Sequence, residues 1–276
     1  MFVKRVAAAA SLWLCVAPAA ISADLMVKAP ARPSVTTVAA WTGWYAGLAV
    51  GGRGVDATWR TLSVADAFGD FLDPIPETNN AAFRTAALAV AGYVGHNWQV
   101  APAWVVGIEA HVGWARNRKT IGGIPGTYPG FFPFVGTGAT LADSASIQAG
   151  WDFSLRGRTG LLVNPNWLAY VTAGPAWQQV KLAATCDATF DSWCFTPTRE
   201  SVSKVKLGWT VGAGMESLLW DAWLARLEYR YADFGRVSHT FFASSAPPGE
   251  VDVIMQAPLK THTVTVGIAR SFAASR

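Results

Sequence analysis

Three short turns, Ala101-Pro102-Ala103, Asn164-Pro165-Asn166 and Asp221-Ala222, each stand directly before a tryptophan: Trp104, Trp167 and Trp223. Each of these tryptophans opens a run in which apolar residues alternate with small or polar ones. Further alternating runs precede the turns, two of them closing on Trp98 and Trp220. Long segments rich in Gly, Pro and Asp separate the tight hairpins. Alternation with a period of two places successive side chains on opposite faces of a strand. Tryptophan favours the boundary between water and lipid, because its ring is apolar while its N–H seeks a partner. Tight turn and long loop in regular succession, with aromatic residues at the turn ends, is the layout of an antiparallel up-and-down β-barrel that crosses an outer membrane.

Composition supports the same fold. Only 14% of the 276 residues are charged and 51% are hydrophobic, whereas a soluble domain carries about 25% charged residues. The deficit calls for a large surface that faces something other than water. Past the N-terminus, however, there is no run of about 18 consecutive apolar residues, so a helical span is not available. A chain that is apolar overall but never apolar for long fits a barrel in which every second residue meets lipid. The net charge of +4 is modest and forms no basic stripe interleaved with aromatics, which argues against nucleic acid as a partner.

Residues 1–23 read as a secretory signal peptide. Lys4 and Arg5 form the positive start, Val6 to Ala20 the apolar stretch, and small residues follow. Cys15 would leave with it. Residues 24–40, with Pro30 and Pro33, lack a period and read as a periplasmic linker. The barrel is expected over 41–272 and a short extension over 273–276. Export leads to an oxidising compartment, where the two remaining cysteines, Cys186 and Cys194, are expected to pair. Metal binding is the rival, but no histidine lies near and the spacing matches no zinc pattern.

Faces follow from asking which set of residues lipid could accept. On the first strand Trp44, Ala46, Leu48 and Val50 face out and Tyr45, Gly47, Ala49 and Gly51 face in; a loop follows, roughly 53–84. The second strand descends to Trp98 and the third rises from Trp104 through Ile108 and Val112, with Glu109 and His111 inside. On the fourth, Ile147, Ala149, Trp151, Phe153 and Leu155 are read as outward and Gln148, Asp152, Arg156 and Arg158 as inward. Pro175 on the fifth predicts a bulge or local break. The sixth sends Lys206, Thr210 and Glu216 inward. The seventh has Arg226, Glu228 and Arg230 inside, a fourth loop spans about 233–260, and the last strand turns Thr261, Thr263 and Thr265 inward. The total is eight strands, with short periplasmic turns, four long extracellular loops and both ends periplasmic. With every edge closed, a monomer is expected. Trp44, Trp98, Trp104, Trp167, Trp220, Trp223 and Phe272 are the candidate membrane-interface aromatics.

The inner face collects Arg156, Arg158, Lys206, Arg226 and Arg230 against Glu109, Asp152, Glu216 and Glu228. Charges in a lumen of low dielectric must be paired or hydrated, and eight strands leave room only for side chains. A salt-bridged plug is therefore expected, with a narrow ion path as the alternative. Of the histidines, His96, His111, His239 and His262, His111 has no serine beside it at a spacing suited to nucleophilic catalysis and Ser238-His239 lies in or near a loop, so no enzyme, metal or cofactor is expected. Phe131, Phe132 and Phe134 form an apolar patch in the second loop, a candidate for adhesion or partner binding.

Several short motifs occur in order: Trp41-Thr42-Gly43-Trp44-Tyr45-Ala46-Gly47, Gly95-His96-Asn97-Trp98-Gln99, Gly107-Ile108-Glu109, Arg156-Gly157-Arg158, Tyr170-Val171-Thr172-Ala173-Gly174, Gly208-Trp209-Thr210-Val211-Gly212 and Leu227-Glu228-Tyr229. Together they resemble the small porin-family surface proteins of alpha-proteobacteria, whose fold is the OmpA-type eight-stranded barrel; the resemblance runs from Trp41 to Phe272. It implies a Gram-negative outer-membrane protein, surface-exposed and in some members antigenic. Outer-membrane lipid and lipopolysaccharide are the implied surroundings, and the barrel-insertion machinery the implied assembly partner. Members tend to end on an aromatic residue with another two positions earlier. Here Ala273-Ala274-Ser275-Arg276 follows Phe272, and Arg270 holds the earlier position.

Overall fold

Strict alternation over some twenty residues at a time leaves each segment one stable arrangement, a long strand with two chemically distinct faces. The computed structural model describes residues 41–65, 80–126, 143–187, 197–220, 222–243 and 252–272. They form β1 (Gly43–Ala65), β2 (Ala81–Ala101), β3 (Trp104–Gly122), β4 (Ser144–Asn164), β5 (Trp167–Cys186), β6 (Thr198–Leu218), β7 (Trp223–Phe241) and β8 (Asp252–Phe272). Each strand pairs antiparallel with its chain neighbours, and β1 pairs with β8 from Trp44 opposite Phe272 onward, so the sheet closes into a barrel. Closure leaves no backbone edge to lipid. Among the described residues no helix is long and apolar enough to cross a membrane; the strands make the crossing. The segments read as leader (1–23), linker (24–40) and C-terminal extension (273–276) lie outside the described residues, as does the Phe131, Phe132 and Phe134 patch.

Turn chemistry sets the periplasmic end. Pro102-Ala103 and Pro165-Asn166 make the tight links, with Asn164 Oδ1 accepting the Asn166 N–H at 2.9 Å. Ala222, in the third link, takes a left-handed φ of 68°. Trp41 lies at this same end, and its Nε1–H donates to the Pro165 carbonyl at 3.1 Å.

Two rows of aromatic residues bound the outer face. Trp104 and Trp114 on β3, and Trp167 and Trp177 on β5, stand ten positions apart. At roughly 3.3 Å per residue and a tilt of ~40°, ten positions span about 25 Å in height, which matches the apolar band of a membrane barrel. Between the rows the outward residues are apolar and exposed: Leu48 and Val50 on β1, Ile108 and Val112 on β3, Val264, Val266 and Ile268 on β8.

Beyond the upper row the chemistry of the two faces exchanges without any turn of the strand. On β1 the inward series runs on from Arg53 to Val55, Ala57 and Trp59, all buried, while the outward series becomes Asp56, Thr58 and Arg60. β8 does the same, with Val253, Met255, Ala257 and Leu259 inside. Outside the barrel water has replaced lipid, so the apolar residues move to the interior.

This exchange corrects the strand limits. Loops expected over 53–84 and 233–260 are shorter, because β1 continues to Ala65, β2 begins at Ala81, β7 reaches Phe241 and β8 starts at Asp252. A face chosen for compatibility with lipid ends where lipid ends, although the strand continues. β4 carries a second correction. Its register shifts between Ala149 and Asp152, so Ile147 and Ala149 point inward and are buried, and Gln148 points outward. One extra residue reverses every side chain beyond it. At Pro175 the ladder to β4 lapses opposite Leu155 and Arg156, with the same register on either side and continuous pairing to β6. That is the expected break; the bulge is elsewhere.

Candidate functional site

The interior is filled in three layers. At the periplasmic end Trp41, Tyr45, Tyr93, Val105, Leu168, Tyr170, Leu224 and Ala269 pack together. At the extracellular end lies a larger apolar cluster that includes Trp59, Phe83, Ile147, Leu182, Phe241, Phe242, Met255 and Leu259. Trp59 stacks on Phe241 with ring centroids 5.5 Å apart. Between these layers sit the charges.

The charged layer is one connected network. Glu109 accepts hydrogen bonds from Arg156 and, at 2.8 Å, from the Tyr45 hydroxyl; Arg226 Nη2 lies 2.6 Å away. Glu216 takes Arg158 Nη2 at 2.8 Å and Arg226 Nε at 2.8 Å. Glu228 takes Arg156 Nη1 at 2.7 Å and the Tyr170 hydroxyl at 2.9 Å. Three arginines thus answer three glutamates. Tyrosine rings cover two of the arginines, with Arg226 3.9 Å from the Tyr93 centroid and Arg158 4.1 Å from that of Tyr170.

A second group stands toward the extracellular side. Asp152 receives Arg53 Nη1 and Arg230 Nη2, each at 2.7 Å. Arg230 Nη1 also bonds His111 Nδ1 at 2.8 Å. Since guanidinium only donates, Nδ1 accepts, and the imidazole is neutral with its proton on Nε2. Arg53 exceeds the local negative charge, and its remaining donors go to Asn117 Oδ1 at 2.9 Å and to the carbonyls of Ala115, Ala149 and Gly150. The β4 bulge exposes the last two of these carbonyls to the lumen. Every one of these charged side chains is buried, where a charge needs partners of this kind.

Glu109, Asp152, Arg156, Arg158, Glu216, Arg226, Glu228 and Arg230 all lie buried in ion pairs inside the barrel. Lys206 does not. It sits on β6 opposite Gln178, above the last β6–β7 pair at Trp209 and Asp233, and makes no ion pair among the described residues. Alternation placed it on the correct face but at the wrong height. Arg53, Asn117 and Tyr170 are the members that reasoning from sequence missed, whereas alternation turns Tyr45 and Tyr93 inward but gives them no role in the network. Of the interface candidates Trp44, Trp98, Trp104, Trp167, Trp220 and Phe272 are exposed, and Trp223 lies half-buried under Arg270. Cys186 ends β5, buried and in a disulfide, whereas Cys194 lies outside the described residues. His96 and His262 are on the outside, and His239 bonds Glu200 at 2.7 Å. Among the described residues no group of three or more His, Cys, Asp and Glu could hold a metal ion.

Comparison with known proteins identifies the family. The chain is similar to the 31 kDa outer-membrane immunogenic protein of Brucella melitensis biotype 1, 26% identical over 277 residues, covering 95% of this chain and 98% of the relative. It is also similar to the 22 kDa outer membrane protein of Rhizobium leguminosarum bv. viciae, 33% identical over 142 residues, about half of each chain. Among solved structures, the outer membrane protein OprG of Pseudomonas aeruginosa matches with a TM-score of 0.47 at 12% identity, over 84% of this chain and 97% of that one. A family model described as "Outer membrane protein beta-barrel domain" matches residues 6–272. The closed eight-stranded sheet, the lipid-facing band and a match over nearly the whole length place the chain in this outer-membrane β-barrel family, alongside outer-membrane immunogenic proteins of Brucella.

Proposed function

We propose that this protein is a sealed outer-membrane scaffold that stiffens the envelope and carries its extracellular connections to the surface, not a diffusion channel. The observation that carries this reading is the filled interior. A path for ions would have to cross an aromatic layer, a network in which each carboxylate holds at least two donors, and an apolar layer closed by stacked Trp59 and Phe241. The test is single-channel recording in a planar bilayer with refolded protein, its folding verified by gel shift. Silence is expected. Stable, reproducible conductance steps would establish a porin instead and make the inner arginines its selectivity residues.

Lipopolysaccharide as surroundings and the insertion machinery as assembly partner accord with the family. The relatives' description as immunogenic supports antigenic display by the extracellular connections. Within these, Cys186 pairs with Cys194, the only other cysteine once the leader is removed. Peptide mapping without reductant is expected to recover the linked pair, and free thiols at both positions would refute it. Adhesion through Phe131, Phe132 and Phe134 is tested by replacing all three with serine, which should abolish partner binding.

A further inference from the structure

Outward-facing charges above the upper aromatic row are distributed unequally around the wall. On the β8–β1–β2 side Arg60 makes no ion pair among the described residues, but other cations have acidic neighbours: Arg84 lies 3.2 Å from Asp56 and Lys260 3.9 Å from Asp233. On the β3–β6 side they do not. Arg118, Lys181 and Arg199 are exposed and make no ion pair among the described residues. These three line a single cleft of about 310 Å³ together with Ser146, Gln148, Ala183 and Ser201.

Strand register builds this cleft. Arg118 pairs with Gln148, and Gln148 with Lys181, so a cation, an amide and a cation lie side by side across three strands. At about 4.8 Å per strand the two cations start roughly 10 Å apart, and their long side chains can converge over Gln148. The next row sets Ser146, Ala183 and Ser201 side by side, and Arg199 lies opposite Thr185 one row farther. Ser146 faces outward yet is only 8% exposed, which makes it the floor. The β4 bulge is what aims these residues outward, since without it Gln148 and Ser146 would point into the lumen. Three cations around hydroxyl and amide donors, with no carboxylate paired to them, form a receptor for a tetrahedral oxyanion.

Height identifies the source of that anion. Lys181 lies four positions beyond Trp177 on β5, about 13 Å along the strand. At a tilt of ~40° that sets Lys181 about 10 Å above the upper aromatic row, with Arg199, opposite Thr185, farther out, so the cleft lies on the outer wall above the lipid band, among the headgroups. We infer that the Arg118–Lys181–Arg199 cleft binds the phosphate of a phosphorylated lipid headgroup in the outer leaflet. The inference goes beyond the sealed-scaffold reading and does not depend on whether the lumen conducts.

The test uses the full mature chain, folded in a zwitterionic detergent and titrated with three probes: lipopolysaccharide, the same lipopolysaccharide after dephosphorylation, and inorganic phosphate. Binding is read from the rise in thermal unfolding temperature and from co-elution. Lipopolysaccharide should bind, and its dephosphorylated form should bind far more weakly. Replacing Arg118, Lys181 and Arg199 together by Gln should weaken binding about a hundredfold with the gel shift retained. Lys181→Gln alone, a single exposed change that serves if the triple variant misfolds, should weaken it about fivefold, and Lys181→Arg should restore it. Equal binding by the Gln variants, or by dephosphorylated lipopolysaccharide, would overturn the assignment. So would inorganic phosphate alone reproducing the full effect, since the site would then serve a free anion.

Discussion

Glu109 is held at once by Tyr45, Arg156 and Arg226, with no water-exposed surface to its side chain. Removing its charge leaves two arginines short of a counter-charge inside the barrel. Breaking a buried pair from one side costs about 3–5 kcal/mol, because the surviving charge stays desolvated. Glu109→Gln is therefore expected to destabilise the barrel by roughly that amount in urea unfolding from vesicles. Asp56→Asn, which touches the exposed Arg84, should cost about 0–1 kcal/mol. Equal effects would mean that the network is hydrated in a way the packing does not suggest. Most of this network was legible from sequence, since alternation fixes the face and a charge on the inner face needs a partner. Arg53 was hidden by Gly51-Gly52 before it, a pair that reads as the end of a strand. Here Gly51 instead marks a place where β1 and β8 come close, while Gly52 faces open space. His111, too, was on the expected face, but its role as an acceptor for Arg230 follows only from three dimensions.

At the scale of the strand, Gly51 shows what close approach demands. A Cβ there would fall against the carbonyl oxygen of Val264 and the Cα of Thr265 on β8, both backbone atoms that cannot swing aside. Gly54, three positions on, has nothing nearer than 3.8 Å. Gly51→Ala is expected to weaken the β1–β8 closure by about 1–3 kcal/mol, and Gly54→Ala to leave it within about 0.5 kcal/mol, as measured by unfolding midpoints. The opposite order would mean that the strands adjust at Gly51. Strand number, order and lipid-facing sides were legible because a two-residue period survives tilt and twist. Strand length was not. The same inner face that carries Arg53 carries Trp59 six positions later, and the reversal reports a change of solvent outside the barrel, not a change of structure. The β4 bulge left no signal in the alternation except two small residues, Ala149 and Gly150, in succession.

Across the whole molecule the two halves obey opposite rules. The membrane half is apolar outside and charged within, and the extracellular half is polar outside and apolar within. One continuous set of strands serves both, so the apolar end acts as a cap on the charged layer. This makes conductance a test of how the layers share the seal. Trp59→Ala with Phe241→Ala removes the stacked pair and opens the cap, at a stability cost of roughly 3–5 kcal/mol for each large side chain. It is expected to stay silent in a planar bilayer, because the arginine–glutamate network still fills the section below. Glu109→Ala with Arg156→Ala leaves the cap intact and should also stay silent. Only these four changes combined with Tyr45→Ala and Leu168→Ala, which open the periplasmic aromatic layer, remove all three seals, and current is then expected to depend on the remaining inner arginines and to favour anions. Conductance from the cap variant alone would show that the charged layer is permeable and that the apolar layer is the sole seal.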